Sequence, residues 1–146
     1  MIKSFRGSLD DLEVDTIRLS TNDGKTGYRI VKFELMPTLP GGAVQDSVMQ
    51  IYTMPQTTAS STVDFDNPVL LAAAIYSQHQ TQYTFNTGVI FDNVKFNQDI
   101  YITHKDKAGA TPCNYYLELE QVRLDLSENT VATLKDIRNI ESGKYV

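Results

Sequence analysis

The chain has one cysteine, two histidines and no tryptophan. A lone Cys113 excludes an intrachain disulfide. A structural zinc site takes about four Cys or His ligands, and this sequence offers three such residues in all: His79, His104 and Cys113. No apolar run approaches the ~20 residues of a membrane helix; the longest, Val69 to Tyr76, is far too short. The start, Met1-Ile2-Lys3-Ser4-Phe5-Arg6, turns polar at once and lacks the apolar stretch of a signal peptide. Basic residues are outnumbered 13 to 18 by acidic ones and form no cluster. Affinity for nucleic acid rests on neutralised phosphates, so neither nucleic acid nor an anionic membrane is an expected partner. Internal repeats and low-complexity tracts are absent as well.

What remains is an ordinary globular composition. With 146 residues, 41% hydrophobic and 21% charged, the chain is long enough to bury a core without disulfide or metal, and residues 1–146 are expected to form one domain.

The dominant signal is alternation with period two. In Tyr28 to Met36, Val31, Phe33 and Leu35 fall on one face and Lys32 and Glu34 on the other. Val14 to Ser20 is rich in β-branched residues, and the Asn22-Asp23-Gly24 that follows predicts a hairpin turn between these two strands. Val48 to Thr53 reads as a strand, followed by an exposed polar loop over 56–62. Asp66-Asn67-Pro68 would suit the start of a short helix, but the strands on either side favour reading Val69 to Tyr76 as a strand buried on both faces. Thr87 to Phe91 and Gln98 to His104 are further strands, joined by a turn over Phe91 to Val94; residues 105–112 read as a polar loop.

Asn114 to Asp125 is the longest strand. Its apolar positions switch from Tyr115, Leu117 and Leu119 to Val122, Leu124 and Leu126, which predicts a β-bulge near Glu120-Gln121. Ser127 as an N-cap, with Val131, Leu134, Ile137 and Ile140 beyond it, predicts a short C-terminal helix in preference to an edge strand. About seven or eight short strands at regular spacing predict an all-β fold, an antiparallel β-sandwich of jelly-roll type.

The groups that carry chemistry are sparse. Cys113 with His104 is a formal nucleophile and base, without any family signature around either residue. Asp10, Asp11, Glu13 and Asp15 cluster, and Asp64 and Asp66 flank Phe65, but no calcium-loop spacing is present. Glu118 and Glu120 share a strand face, where alternation with Leu117 and Leu119 already accounts for them. Gly24-Lys25-Thr26 resembles the end of a phosphate-binding loop but lacks its first glycine, and no βαβ unit is present to carry a dinucleotide fingerprint. No catalytic, cofactor-binding or metal-binding residue is assigned on these grounds. The eight tyrosines, densest at Tyr115-Tyr116, are expected to pack across strands.

Four stretches resemble small bacteriophage virion structural proteins of the marine-phage kind: Ile17 to Gly24, Gly27 to Phe33, Asn97 to Ile102 and Cys113 to Glu120. They cover under half the chain and consist of strand patterns. The resemblance implies a capsid or capsid-associated subunit of a virion, assembled in the host cytoplasm. Its expected partners are other virion proteins and further copies of itself, engaged without catalysis through the 56–62 loop and the two chain ends as arms. A carbohydrate- or ligand-binding sandwich module is the alternative, and it predicts exposed aromatics aligned on one face. A small hydrolase is the third reading, and it requires acids and histidine converging in a cleft.

Overall fold

The computed structural model describes residues 1–19, 25–41, 44–79, 84–91 and 94–124. They form eight strands: β1 (Ile2–Leu9), β2 (Val14–Ile17), β3 (Thr26–Pro37), β4 (Gln45–Tyr52), β5 (Leu70–Gln78), β6 (Thr84–Ile90), β7 (Ile100–Asp106) and β8 (Cys113–Arg123). Two antiparallel sheets, ordered β1-β8-β3 and β2-β7-β4-β5-β6, face each other. This is the expected all-β sandwich.

The pairing is nested. The first strand pairs with the last, the second with the seventh and the fourth with the fifth, which is the jelly-roll scheme of a long hairpin folded over on itself. The remaining pair of that scheme, β3 with β6, is altered: β6 hydrogen-bonds to β5, while the position of a Gly88 Cβ lies 3.6 Å from the Phe33 carbonyl oxygen of β3. Sequence alone predicted a β2–β3 hairpin, and the structure corrects this. The two strands lie in different sheets, so the chain crosses the sandwich between them.

One core fills the space between the sheets. Leu117 and Leu119 of β8, Met49 and Ile51 of β4, and Ile100 and Ile102 of the β7 region are fully buried in it. The bulge expected near Glu120-Gln121 is absent: β8 keeps its register with β1 through Glu120 and with β3 from Glu120 to Arg123. A different irregularity lies on β3, which carries an extra residue between Ile30 and Lys32. Val31 therefore does not share the face of Phe33 and Leu35; Tyr28 and Ile30 point inward on one side of the bulge, and Phe33 and Leu35 on the other. At the end of β8, Leu124 is buried over Gly27, whose missing side chain leaves it room.

The Val69 to Tyr76 segment is strand, as the sequence reading favoured, running Leu70–Gln78 with Leu71, Ala72 and Ala74 in the core. Asp66-Asn67-Pro68 makes a turn in which the Asn67 side chain accepts from the Val69 N–H at 3.1 Å. β1 was not anticipated. The start of the chain is a strand along β8, not a free arm, and Phe5 lies opposite Leu117. The 56–62 loop is pinned too: the Gln50 amide donates to the carbonyls of Ser60 and Thr62 at 3.1 and 3.0 Å. This segment covers the outer face of β4, so Gln50 and Tyr52 are buried where alternation implies exposure. Lys105 and Asp106, read as loop, complete β7. The predicted C-terminal helix lies outside the described residues.

Leu117 has no exposed surface and sits between β1 and β3. Leu117→Ala is expected to cost about 3 to 5 kcal/mol in urea unfolding with an unchanged m-value, from lost transfer energy plus the cavity left behind.

Candidate functional site

The chemistry-bearing side chains gather at one end of the sandwich, where β4 starts, β7 ends and β8 begins. Gln45, Ser47, His104, Asp106 and Cys113 are all fully buried there. Ser47 and His104 face each other across the β4–β7 ladder, where Ser47 is opposite Asp106 and Met49 opposite His104.

Their hydrogen bonds can be assigned from donor and acceptor capacity. His104 Nδ1 lies 3.1 Å from the Asp10 carbonyl oxygen, which can only accept, so Nδ1 carries the ring proton. In the neutral ring Nε2 is then an acceptor, and the Ser47 hydroxyl 2.9 Å away donates to it. The Gln45 amide donates to Ser47 Oγ at 2.6 Å and to the Pro112 carbonyl at 3.3 Å. Gln45 Oε1 is buried without a hydrogen-bond partner among the described residues; so is Thr103 Oγ1, further along β7 opposite Gln50.

A serine donating to a histidine whose other nitrogen is held by a carbonyl is the arrangement of an activated nucleophile. Here both side chains are fully buried, and neither opens to solvent. The cluster holds strands together.

Cys113 joins the same cluster. Its thiol donates weakly to the Met36 and Asn114 carbonyls at 3.6 and 3.5 Å. Burial pushes the thiol up to about 11. The formal Cys113–His104 pair is thus split: His104 bonds to Ser47 and the Asp10 carbonyl, and the thiol stays protonated at neutral pH.

Asp106 organises the loop after β7. Burial alone would raise its carboxyl, but backbone N–H groups of Asp46, Thr111, Ala108 and Gly109 outweigh that and hold it below the ordinary carboxylate range. Three of these bonds are 2.9 to 3.0 Å long. The acidic run near the N-terminus is tied into the same end. Asp11 accepts from the Asp106 N–H at 2.7 Å and lies 3.5 Å from the Lys105 ammonium. Leu12 and Glu13 exchange backbone bonds with His104. Of the other acids, Asp64 caps its own turn by accepting from the Asp66 N–H at 2.9 Å. Glu120 pairs with Arg29 at 3.0 Å, and Glu118 accepts from the Tyr116 hydroxyl at 2.9 Å. No group of three or more His, Cys, Asp or Glu side chains is placed to hold a metal ion among the described residues.

Two surface features complete the picture. A groove of about 470 Å³ crosses the three-stranded sheet, lined by Arg6, Glu34, Met36, Asn114 and Tyr116. A cleft of about 410 Å³ separates β3 from β5 and β6, lined by Leu35, Met36, Ala74, Asn86 and Gly88. Tyr115 points inward and is buried, while Tyr116 lies on the groove side. The sequence singled out Cys113, His104 and the acids, but not Gln45, Ser47 or Asp106. Their one visible signal is polar residues at positions flanking strand ends, which is also the signal of any loop. The chain matches no protein-family model, no curated protein and no solved structure.

Two measurements test this account. Iodoacetamide at pH 8 is expected to leave Cys113 unlabelled in the native chain and to label it fully in denaturant; rapid native labelling would contradict its burial. Asp106→Asn is expected to cost about 2 to 3 kcal/mol at pH 7. Because the folded carboxyl is depressed below the ordinary aspartate range, its contribution is present above that range and is lost as pH falls through the lower folded value. The stability gap between wild type and variant should therefore narrow in acid.

Proposed function

We propose that this chain is a structural subunit of a virion, a capsid or capsid-associated protein that acts by packing against further copies of itself and other virion proteins. One observation carries the reading. Strand β6 is exposed along almost its whole length on both faces, although it presents Phe85 at 50% and Val89 at 39% relative exposure. Met36 and Leu39 at the end of β3 and just beyond are more exposed still. Monomeric proteins commonly blunt or cover such edges, and apolar exposure of this kind marks interaction surfaces. The jelly-roll nesting and the resemblance of the strand segments to virion proteins point the same way. The buried state of Ser47, His104 and Cys113 favours a non-catalytic role.

A second reading, a binding module, rests on the groove beside Tyr116, where an aromatic ring lies between Arg6 and Glu34. The large exposed aromatics do not line up with it: Phe65 packs edge-on against Phe91 at 5.2 Å, and Phe85 lies on the other sheet. A glycan-binding screen with Tyr116→Ala as control would bring this reading forward.

Light scattering across a concentration series should give a discrete oligomer or a growing assembly, visible as regular particles by negative-stain imaging. A strict monomer at every concentration overturns self-assembly.

A further inference from the structure

The four sheet edges differ in how they are protected. β1 carries Lys3 and Arg6, and β2 is four residues long with Asp15 at its centre. β3 carries Lys32 and Glu34, a bulge at Val31, and Pro37 at its end. Phe96 also bridges the start of β3 through paired backbone bonds to Tyr28 at 2.7 and 2.9 Å. Charge, shortness, bulges and proline are the devices that keep edges from pairing. β6, Thr84-Phe85-Asn86-Thr87-Gly88-Val89-Ile90, has none of them.

The phase of the β5–β6 ladder shows which backbone groups are free. The Phe91 N–H donates to the Leu71 carbonyl at 2.9 Å, one step beyond the Ala72–Ile90 pair. Bonded pairs alternate in an antiparallel ladder, so residues 85, 87 and 89 turn their N–H and C=O groups toward β5. Thr84, Asn86, Gly88 and Ile90 turn theirs to the open edge, which has no partner among the described residues.

We infer that β6 pairs with β6 of a second copy of this chain, antiparallel about a two-fold axis at Thr87. Among two-fold registers, only this centre pairs all seven residues. It sets Thr84 against Ile90 and Asn86 against Gly88, and these are the positions with free backbone groups. It sets Thr87 against itself and Phe85 against Val89 at the non-bonded positions, where side chains approach most closely. Thr–Thr and aromatic–β-branched contacts are among the stabilising cross-strand pairs. Charge selects a second copy as the occupant. An isologous contact sets each residue against the same short strand, and β6 has no charge to repel its image. A self-pair of β1, by contrast, brings together strands whose charged side chains, Lys3 and Arg6, are all cationic. Pairing at β6 joins two five-stranded sheets into one of ten strands, five from each copy. Phe85 and Val89 of each copy then cover one another on the outer face.

This interface rests on the reading of the chain as a self-assembling subunit, and the test separates the two. Sedimentation equilibrium would compare the full chain with Thr87→Lys and with Gln98→Lys. Gln98→Lys adds the same charge at an exposed position just before β7, three strands from this edge. Thr87→Lys sets two ammonium groups opposite each other and should weaken self-association at least about 10-fold, with Gln98→Lys near wild type and circular dichroism unchanged in both. In a parallel measurement, Thr87→Cys should form a disulfide-linked dimer under mild oxidation, since the buried Cys113 does not compete. If the wild type self-associates, Thr87→Lys leaves it unchanged and Thr87→Cys gives no linked dimer, the β6 interface is overturned and assembly proceeds through another surface. A wild-type chain that stays monomeric at every concentration overturns the interface and the self-assembly reading together.

Discussion

Three strands have to bury the inner face of five. That mismatch in width governs the molecule. β8 sits at the centre of the smaller sheet and pairs along most of its length with both β1 and β3. Its Leu117 and Leu119 meet Met49, Ile51 and Ile102 from the larger sheet. The smaller sheet does not reach over the far edge of the larger one. β3 comes close to Gly88, but β6 is left exposed along almost its whole length. On the outer side, the segment between β4 and β5 folds back and adds a small apolar cluster of Tyr52, Val69 and Leu70, with Met54, Val63 and Phe91 packed against it. The larger sheet thus has cover on both faces around β4, and little on either face at β6.

The polar end of the sandwich is a second consequence of close packing. Where β4, β7 and β8 converge, the side chains are fully buried yet polar. Unpaired buried polar groups cost about 1 to 3 kcal/mol each, so Ser47, His104 and Gln45 have to satisfy one another and nearby carbonyls. Asp106 does the same for the backbone of the following loop with bonds that favour its ionised form. Such a network is cooperative, since removing any one member strands the others. It pins three connections at once: the turn at Asp10–Glu13, the loop after β7 and the start of β4.

Much of the fold was legible in the sequence because one face of most strands is apolar and the other is wet. Phe33 and Leu35, and Tyr115, Leu117 and Leu119, announce their strands by alternation alone. The failures have specific causes. β1 was missed because two of its inward positions are Lys3 and Gly7. Lys3 lays its stem inward and donates to the Tyr28 hydroxyl at 3.2 Å, while Gly7 leaves space for the Tyr115 ring. No bulge forms at Glu120-Gln121 because the apolar switch there has another cause: Val122 is only half-buried, and Leu124, past the end of β8, folds over Gly27. The β2–β3 hairpin was inferred from Asn22-Asp23-Gly24, whose turn chemistry is local, whereas the choice of partner strand is not. The polar cluster was illegible for the same reason: Ser47 and His104 are 57 residues apart in sequence, and nothing in the local pattern of either points to the other.

The nested pairing also sets the order in which this molecule can be made. Ile2 finds its partner at Glu120, so the first strand to leave a ribosome waits for the last. At roughly 5 to 20 residues per second, β1 spends several seconds or more as an unpaired strand, and the smaller sheet cannot exist until β8 arrives to sit between β1 and β3. Contacts this distant in sequence place the chain among the slow, millisecond-to-second folders. During that interval the β4–β5–β6 meander, whose strands are adjacent in sequence, can form by itself. It would then be a three-stranded sheet waiting for the other strands to close over it.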